Sequence, residues 1–117
     1  MLFRSIINHG TINNEGTINL DVVSSIIRNY GVINNYGTIA NSNYGEIDNY
    51  SGAQIFNING STINNSGTIT NNSGATITNN QTISNSGTIT NSGTINGSGS
   101  INPKGTINDS GTCNQCA

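Results

Sequence analysis

The chain has 117 residues, a formal net charge of −2, and charged side chains at only 7% of positions. That length predicts one domain, and disorder through self-repulsion is excluded, because weakly hydrophobic disordered chains normally carry high net charge. The basic residues Arg4, Arg28 and Lys104 are scattered, which gives nucleic-acid binding no electrostatic footing, and no apolar run approaches the ~18 residues of a membrane-spanning helix.

Residues 1–9, "MLFRSIINH", form an apolar N-terminal segment that includes Leu2, Phe3, Ile6 and Ile7. Its apolar run is too short for the core of a secretory leader and no small-residue cleavage site follows, so export by the usual leader is not expected. From Gly10 the chain repeats Gly-Thr-Ile-x-Asn-x, as "GTINNE" at residue 10, "GVINNY" at 31, "GTITNN" at 67, "GTITNS" at 87 and "GTINDS" at 105. A repeat domain is therefore predicted over residues 10–112. The rhythm is interrupted at residues 20–30, "LDVVSSIIRNY", which reads either as a widened coil or as a segment covering a neighbouring subunit. Ile39, Ile47, Ile55 and Ile63 are eight apart, whereas Ile77, Ile83, Ile89, Ile95, Ile101, Ile107 and Cys113 are six apart. Residues 113–117 form a Cys-containing C-terminal end.

Steps of six and eight are both even, so the inward or outward sense of a period-two strand survives the change of step. A helical period is excluded by the spacing and by the glycine frequency. With Ile pointing inward, Thr before it faces out, while Asn two places after it falls on the inner side or at a corner. Stacked coils then place Ile over Ile and Asn over Asn, with backbone paired to the coil above and below at about 4.8 Å. The predicted fold is all-β, a parallel β-solenoid whose core stack includes Ile63, Ile69, Ile77, Ile83, Ile89, Ile95 and Ile101. Coils of two or three sides are open. Tyr30 to Tyr44 and Tyr36 to Tyr50, fourteen apart, would stack in a two-sided coil, and Tyr30 to Tyr50, twenty apart, in a three-sided one. Three sides are favoured, because one Ile per side fills a triangular core.

Runs such as "NSGTITNSGTI" at residue 85 resemble the Asn/Gly/Thr-rich repeats of filamentous-haemagglutinin-type adhesins and autotransporter passenger domains. The resemblance covers about residues 10 to 112 and implies a right-handed parallel β-helix at the bacterial surface, hence an extracellular or cell-surface address.

Chemistry-bearing residues are few. His9 has no nucleophile or acid beside it in sequence and is expected at a surface or interface. Glu46 and Asp48 share an outward face about 6.6–6.8 Å apart along the strand, a spacing found in glycosidase pairs, yet on a flat repeat face they are expected to be solvated. Calcium would need further oxygen ligands, and the closing Cys113 and Cys116 lack the four-ligand set of zinc and the helix of a redox site. Cys113 stands at the Ile position of the repeat, so its expected role is packing, with a disulfide between subunits as the sharper alternative. No cofactor, metal or catalysis is expected, and no surface ligand is specified.

Solenoids need polar terminal caps. The apolar beginning and the repeat still running at Cys113 instead predict self-stacking into a homopolymeric filament, through Leu2, Phe3, Ile6 and Ile7 at one end and Ile107 and Cys113 at the other. The competing function is a binding module, either part of a surface adhesin or an ice-binding protein presenting Thr-x-Thr rows such as "TIT" at residues 68, 76 and 88.

Overall fold

A strand such as Thr88–Asn91 carries Thr, Ile, Thr and Asn in succession, and alternation sends Ile and Asn to one side and both Thr to the other. The computed structural model describes residues 5–117, and among them this unit recurs as strands and turns with no helix. The first coil holds β1 (Ser5–Asn8), β2 (Thr11–Asn14) and β3 (Thr17–Leu20), and the second β4 (Ile26–Asn29), β5 (Val32–Asn35) and β6 (Thr38–Asn41). The third holds β7 (Glu46–Asn49), β8 (Gln54–Asn57) and β9 (Thr62–Asn65), and the fourth β10 (Thr68–Asn71), β11 (Thr76–Asn79) and β12 (Thr82–Asn85). The fifth holds β13 (Thr88–Asn91), β14 (Thr94–Asn96) and β15 (Ser100–Ile101), followed by β16 (Thr106–Asp109) and β17 (Thr112–Cys113) of a sixth.

Every third strand pairs in parallel, giving a first sheet β1-β4-β7-β10-β13-β16, a second β2-β5-β8-β11-β14-β17 and a third β3-β6-β9-β12-β15. The molecule is thus a three-sided parallel β-solenoid. Register is strict: Ile27, Ile47, Ile69, Ile89 and Ile107 lie opposite one another down the first sheet. The tyrosines agree with three sides, since Tyr30 stacks on Tyr50 with ring centroids 4.5 Å apart and planes 6° from parallel.

The core is a column of triads, one residue from each side. Ile63, Ile69, Ile77, Ile83, Ile89, Ile95 and Ile101 are all buried, none more than 2% exposed. Full burial of one such side chain contributes about 1.5–3 kcal/mol, while each ordered residue costs about 1–2 kcal/mol of backbone entropy. With one large apolar side chain per six or eight residues, burial alone falls short, and hydrogen bonding must supply the difference.

Backbone pairing between coils supplies part of it, and three ladders of buried asparagine add to this. At the corner after the first sheet, Asn8 Nδ2 donates to Asn29 Oδ1 at 2.8 Å, Asn29 to Asn49 at 2.9 Å, Asn49 to Asn71 at 2.9 Å and Asn71 to Asn91 at 2.9 Å. The second amide proton turns to the backbone, as when Asn49 Nδ2 donates to the Thr76 carbonyl at 3.0 Å. Equivalent ladders run Asn14, Asn35, Asn57, Asn79 and Asn41, Asn65, Asn85. A buried amide costs free energy unless bonded, and only a copy one coil away meets that demand on both faces.

The two step lengths correspond to two kinds of corner. In a six-residue step the backbone turns so tightly that a Cβ on Gly31 would lie 2.1 Å from the Gly10 carbonyl oxygen of the coil above. Three of the eight-residue steps add a turn with a left-handed glycine, Gly52 at φ +85°, Gly60 at +81° or Gly74 at +84°, where glycine avoids the Cβ penalty. Residues 20–30 hold a corner one residue longer still, with Ser24 in the left-handed region at φ +67°. Leu20 is fully buried, the Ser25 hydroxyl closes the turn by donating to the Val22 carbonyl at 2.6 Å, and Ile27 rejoins the core.

Asn49→Ala should leave one Nδ2 proton of Asn29 and the Oδ1 of Asn71 without a partner, at about 1–3 kcal/mol for each buried group left unsatisfied. Thr90→Ala, on the outward face, should stay within about 0.5 kcal/mol. Chemical denaturation of both variants checks this, and equal losses would contradict the ladder's role.

Candidate functional site

Two regions depart most from the repeat: the ends of the solenoid and one half of the first sheet's outer face. At the N-terminal end, Ile6, Ile12 and Ile18 form the first triad and are only partly buried. Leu2 and Phe3 lie outside the described residues. Ile7, expected at the end with them, instead points outward from the first sheet and is 55% exposed, because it alternates with the inward Ile6. At the other end Ile107, Cys113 and Cys116 pack against the last full layer. Cys113 and Cys116 are bonded to each other, with Cα atoms 5.6 Å apart, so both sulfurs are occupied within the chain rather than offered to a second subunit.

All three ladders change character at this end. The first finishes on Asp109, whose Oδ1 accepts from Asn91 Nδ2 at 2.8 Å and from the Gly111 N–H at 3.2 Å. An aspartate there accepts like an asparagine but carries no amide proton to pass on. In the second ladder Gly97 stands where Asn would be, and Gln115 reaches up from the following coil to fill the gap. Its Oε1 accepts from Asn79 Nδ2 at 2.8 Å and its Nε2 donates back to the Asn79 carbonyl at 2.9 Å. In the third, Pro103 stands in the asparagine slot, and Asn85 Nδ2 donates to the Lys104 carbonyl instead of to a further amide. At the opposite end of that ladder Leu20 occupies the asparagine slot, and Asn41 Oδ1 is left buried without a donor.

Sequence reasoning missed Gln115 and Asp109. The signal was present, since each falls two places after a core position, the slot held by Asn in the interior coils.

The outer face of the first sheet is divided. Its later coils carry Thr68, Thr70, Thr88 and Thr90 in register. Its earlier coils carry Ile26 opposite Glu46 and Arg28 opposite Asp48. The corner beside them bears a stacked column of His9, Tyr30 and Tyr50, with His9 and Tyr30 centroids 4.8 Å apart. His9 is therefore a stacked corner residue. The Tyr50 hydroxyl donates to Asp48 Oδ2 at 3.5 Å, which leans the column over the face. Burial pushes the Asp48 carboxyl above the ordinary carboxylate value; Glu46 adds to the rise, while Tyr50 and Arg28 oppose it. On the far border Val23 and Tyr44 project from the two widened corners, and with Ser24, Ile26, Arg28 and Glu46 they line an open cavity of about 330 Å³. Among the described residues no three metal-ligating side chains of His, Cys, Asp or Glu come together.

The chain matches no protein-family model, no curated protein and no solved structure. Its likeness to adhesin repeats is therefore one of composition and repeat pattern.

Because folding raises the Asp48 value, it favours the protonated form. That contribution is fully present below the unfolded value and is lost as pH rises through the folded one. Asp48→Asn should thus stabilise the protein at neutral pH, by less than about 1 kcal/mol given the solvent at this face, and the gain should vanish near about pH 3. Thermal unfolding at both pH values is the measurement; a gain that persists unchanged in acid would exclude this origin.

Proposed function

We propose that the protein is a non-enzymatic structural subunit that stacks head to tail on copies of itself, forming a filament outside the cell or on its surface. The observation that carries this reading is the contrast between interior and end layers. Interior triads are closed above and below, whereas Ile6, Ile12 and Ile18 at one end and Ile107, Cys113 and Cys116 at the other are covered on one side only among the described residues. The first two sheets end on β16 and β17 and the third on β15, so a copy docked with β1 on β16 would continue the first two sheets and bury two triads at once. The Cys113–Cys116 disulfide fits the oxidising surroundings of such a role.

One contact in this stack is mismatched. Asp109 offers an acceptor where the incoming Asn8 Oδ1 also accepts, so Asp109→Asn should restore the missing donor and strengthen stacking.

Ice binding has the in-register Thr68, Thr70, Thr88 and Thr90 in its favour. That array gives way to Glu46 and Asp48 above and Asn108 below, which is why the structural role is preferred. A part in a larger adhesin shares the same fold and differs only in what the subunit is joined to.

Sedimentation and negative-stain imaging of wild type, Asp109→Asn and the double variant Ile6→Asp with Ile12→Asp test the proposal. Growing filaments are expected for the wild type, growth at lower concentration for Asp109→Asn, and none for the double variant, which buries unpaired carboxylates at the junction. Monomers at every concentration in both wild type and Asp109→Asn would refute it.

A further inference from the structure

The residues that break the repeat on the first sheet's outer face are gathered into one trough. Its floor is the outward row of β1, β4 and β7, with Ile7, Arg28 and Asp48 aligned across the strands and Ile26 beside Glu46. One wall is the column of His9, Tyr30 and Tyr50. The other is the pair of projecting corners, where Val23 is 67% and Tyr44 64% exposed. A four-residue strand makes the floor roughly 10 Å wide, and three strands spaced about 4.8 Å apart make it roughly 10 Å long. The cavity under the Tyr44 corner, about 330 Å³, lies at the small end of the ~300–1,000 Å³ typical of ligand sites.

Building these walls takes departures from the tight corner. Later coils turn from the third sheet to the first in six-residue steps with a Ser-Gly turn, as at Ser66 and Gly67 or Ser86 and Gly87. Only the two earlier turns are extended, and both extensions place a bulky side chain over the same face.

We propose that this trough binds a neutral, polyhydroxylated ligand, a short oligosaccharide segment. A phosphorylated or sulfated ligand would meet Glu46 and Asp48, and a cationic one would meet Arg28. A purely apolar ligand would strip water from all three charged groups without replacing their hydrogen bonds, which is costly. Hydroxyl groups both donate and accept, and the trough alternates donors with acceptors: the Arg28 guanidinium and tyrosine hydroxyls against the Glu46 and Asp48 carboxylates. Tyr44 and Val23 supply an apolar surface for the C–H faces of a sugar ring, and tyrosine combines such a surface with a polar tip. The trough opens on the side of the solenoid, and Arg28, Tyr44 and Glu46 belong to the second and third coils, away from the β1 edge where a copy would stack.

Saturation-transfer NMR and titration calorimetry on the full chain provide the test, with neutral gluco-, galacto- and manno-oligosaccharides set against sulfated and amino-substituted ones at low and high salt. Expected is binding of at least one neutral oligosaccharide with little salt dependence. Tyr44→Ala and Arg28→Ala should each weaken it roughly tenfold or more, while Thr88→Ala on the later half of the same face should leave it unchanged. Far-ultraviolet circular dichroism confirms that these surface variants remain folded. No binding by any neutral oligosaccharide, binding confined to charged ones and lost in salt, or binding indifferent to both Tyr44→Ala and Arg28→Ala would overturn the proposal.

Discussion

The structure depends on the buried asparagine amide. Placed inside a protein, a carboxamide brings two donors and an acceptor that must all be bonded or cost free energy, and the ladders meet this by translation: each amide sits one coil above an identical one. A coil with its corner out of register would leave two amides unsatisfied at once. The corners can therefore lengthen from six to eight residues, but the position of Asn relative to the inward Ile stays fixed across the interior coils. Ile supplies the apolar filling, and the amide column keeps the sides aligned.

The same interaction accounts for what could be read in advance. Inward Ile and Asn follow from period-two alternation with even steps, and the stacking of like on like follows from repetition. The number of sides was less legible, because six-residue units tile two-sided and three-sided coils alike; Tyr30 over Tyr50 distinguishes them in the folded chain. Residues 20–30 were ambiguous because the step there, Ile18 to Ile27, is odd, so alternation gives no guide through the turn. Ile7 was grouped with Ile6 by composition, although adjacent residues on a strand must face opposite ways. The slot of Gln115, two places after Cys113, was legible, but its partner was not. Its partner Asn79 belongs two coils away, and only the gap at Gly97 makes that reach necessary.

Departures from the repeat are concentrated in two places, which divides the molecule into parts with different tasks. Interior coils of Thr, Ile and Asn provide a uniform rod. At its C-terminal end, Asp109 and Gln115 alter how the ladders finish. On its side, the earlier coils replace Thr and Asn with Arg28, Glu46, Asp48 and tyrosines. A uniform scaffold needs only the first, and on the reading proposed above the other two are where contacts outside the chain would form.

The dependence on buried amides is open to direct measurement by hydrogen exchange at the asparagine side chains, followed by NMR. Nδ2 protons of interior ladder residues such as Asn49, Asn57 and Asn71 should be protected far beyond those of the outward-facing Asn13 and Asn64, and should exchange only with the opening of whole coils. Ladder amides that exchange as fast as Asn13 and Asn64 would contradict the view that they hold the solenoid together.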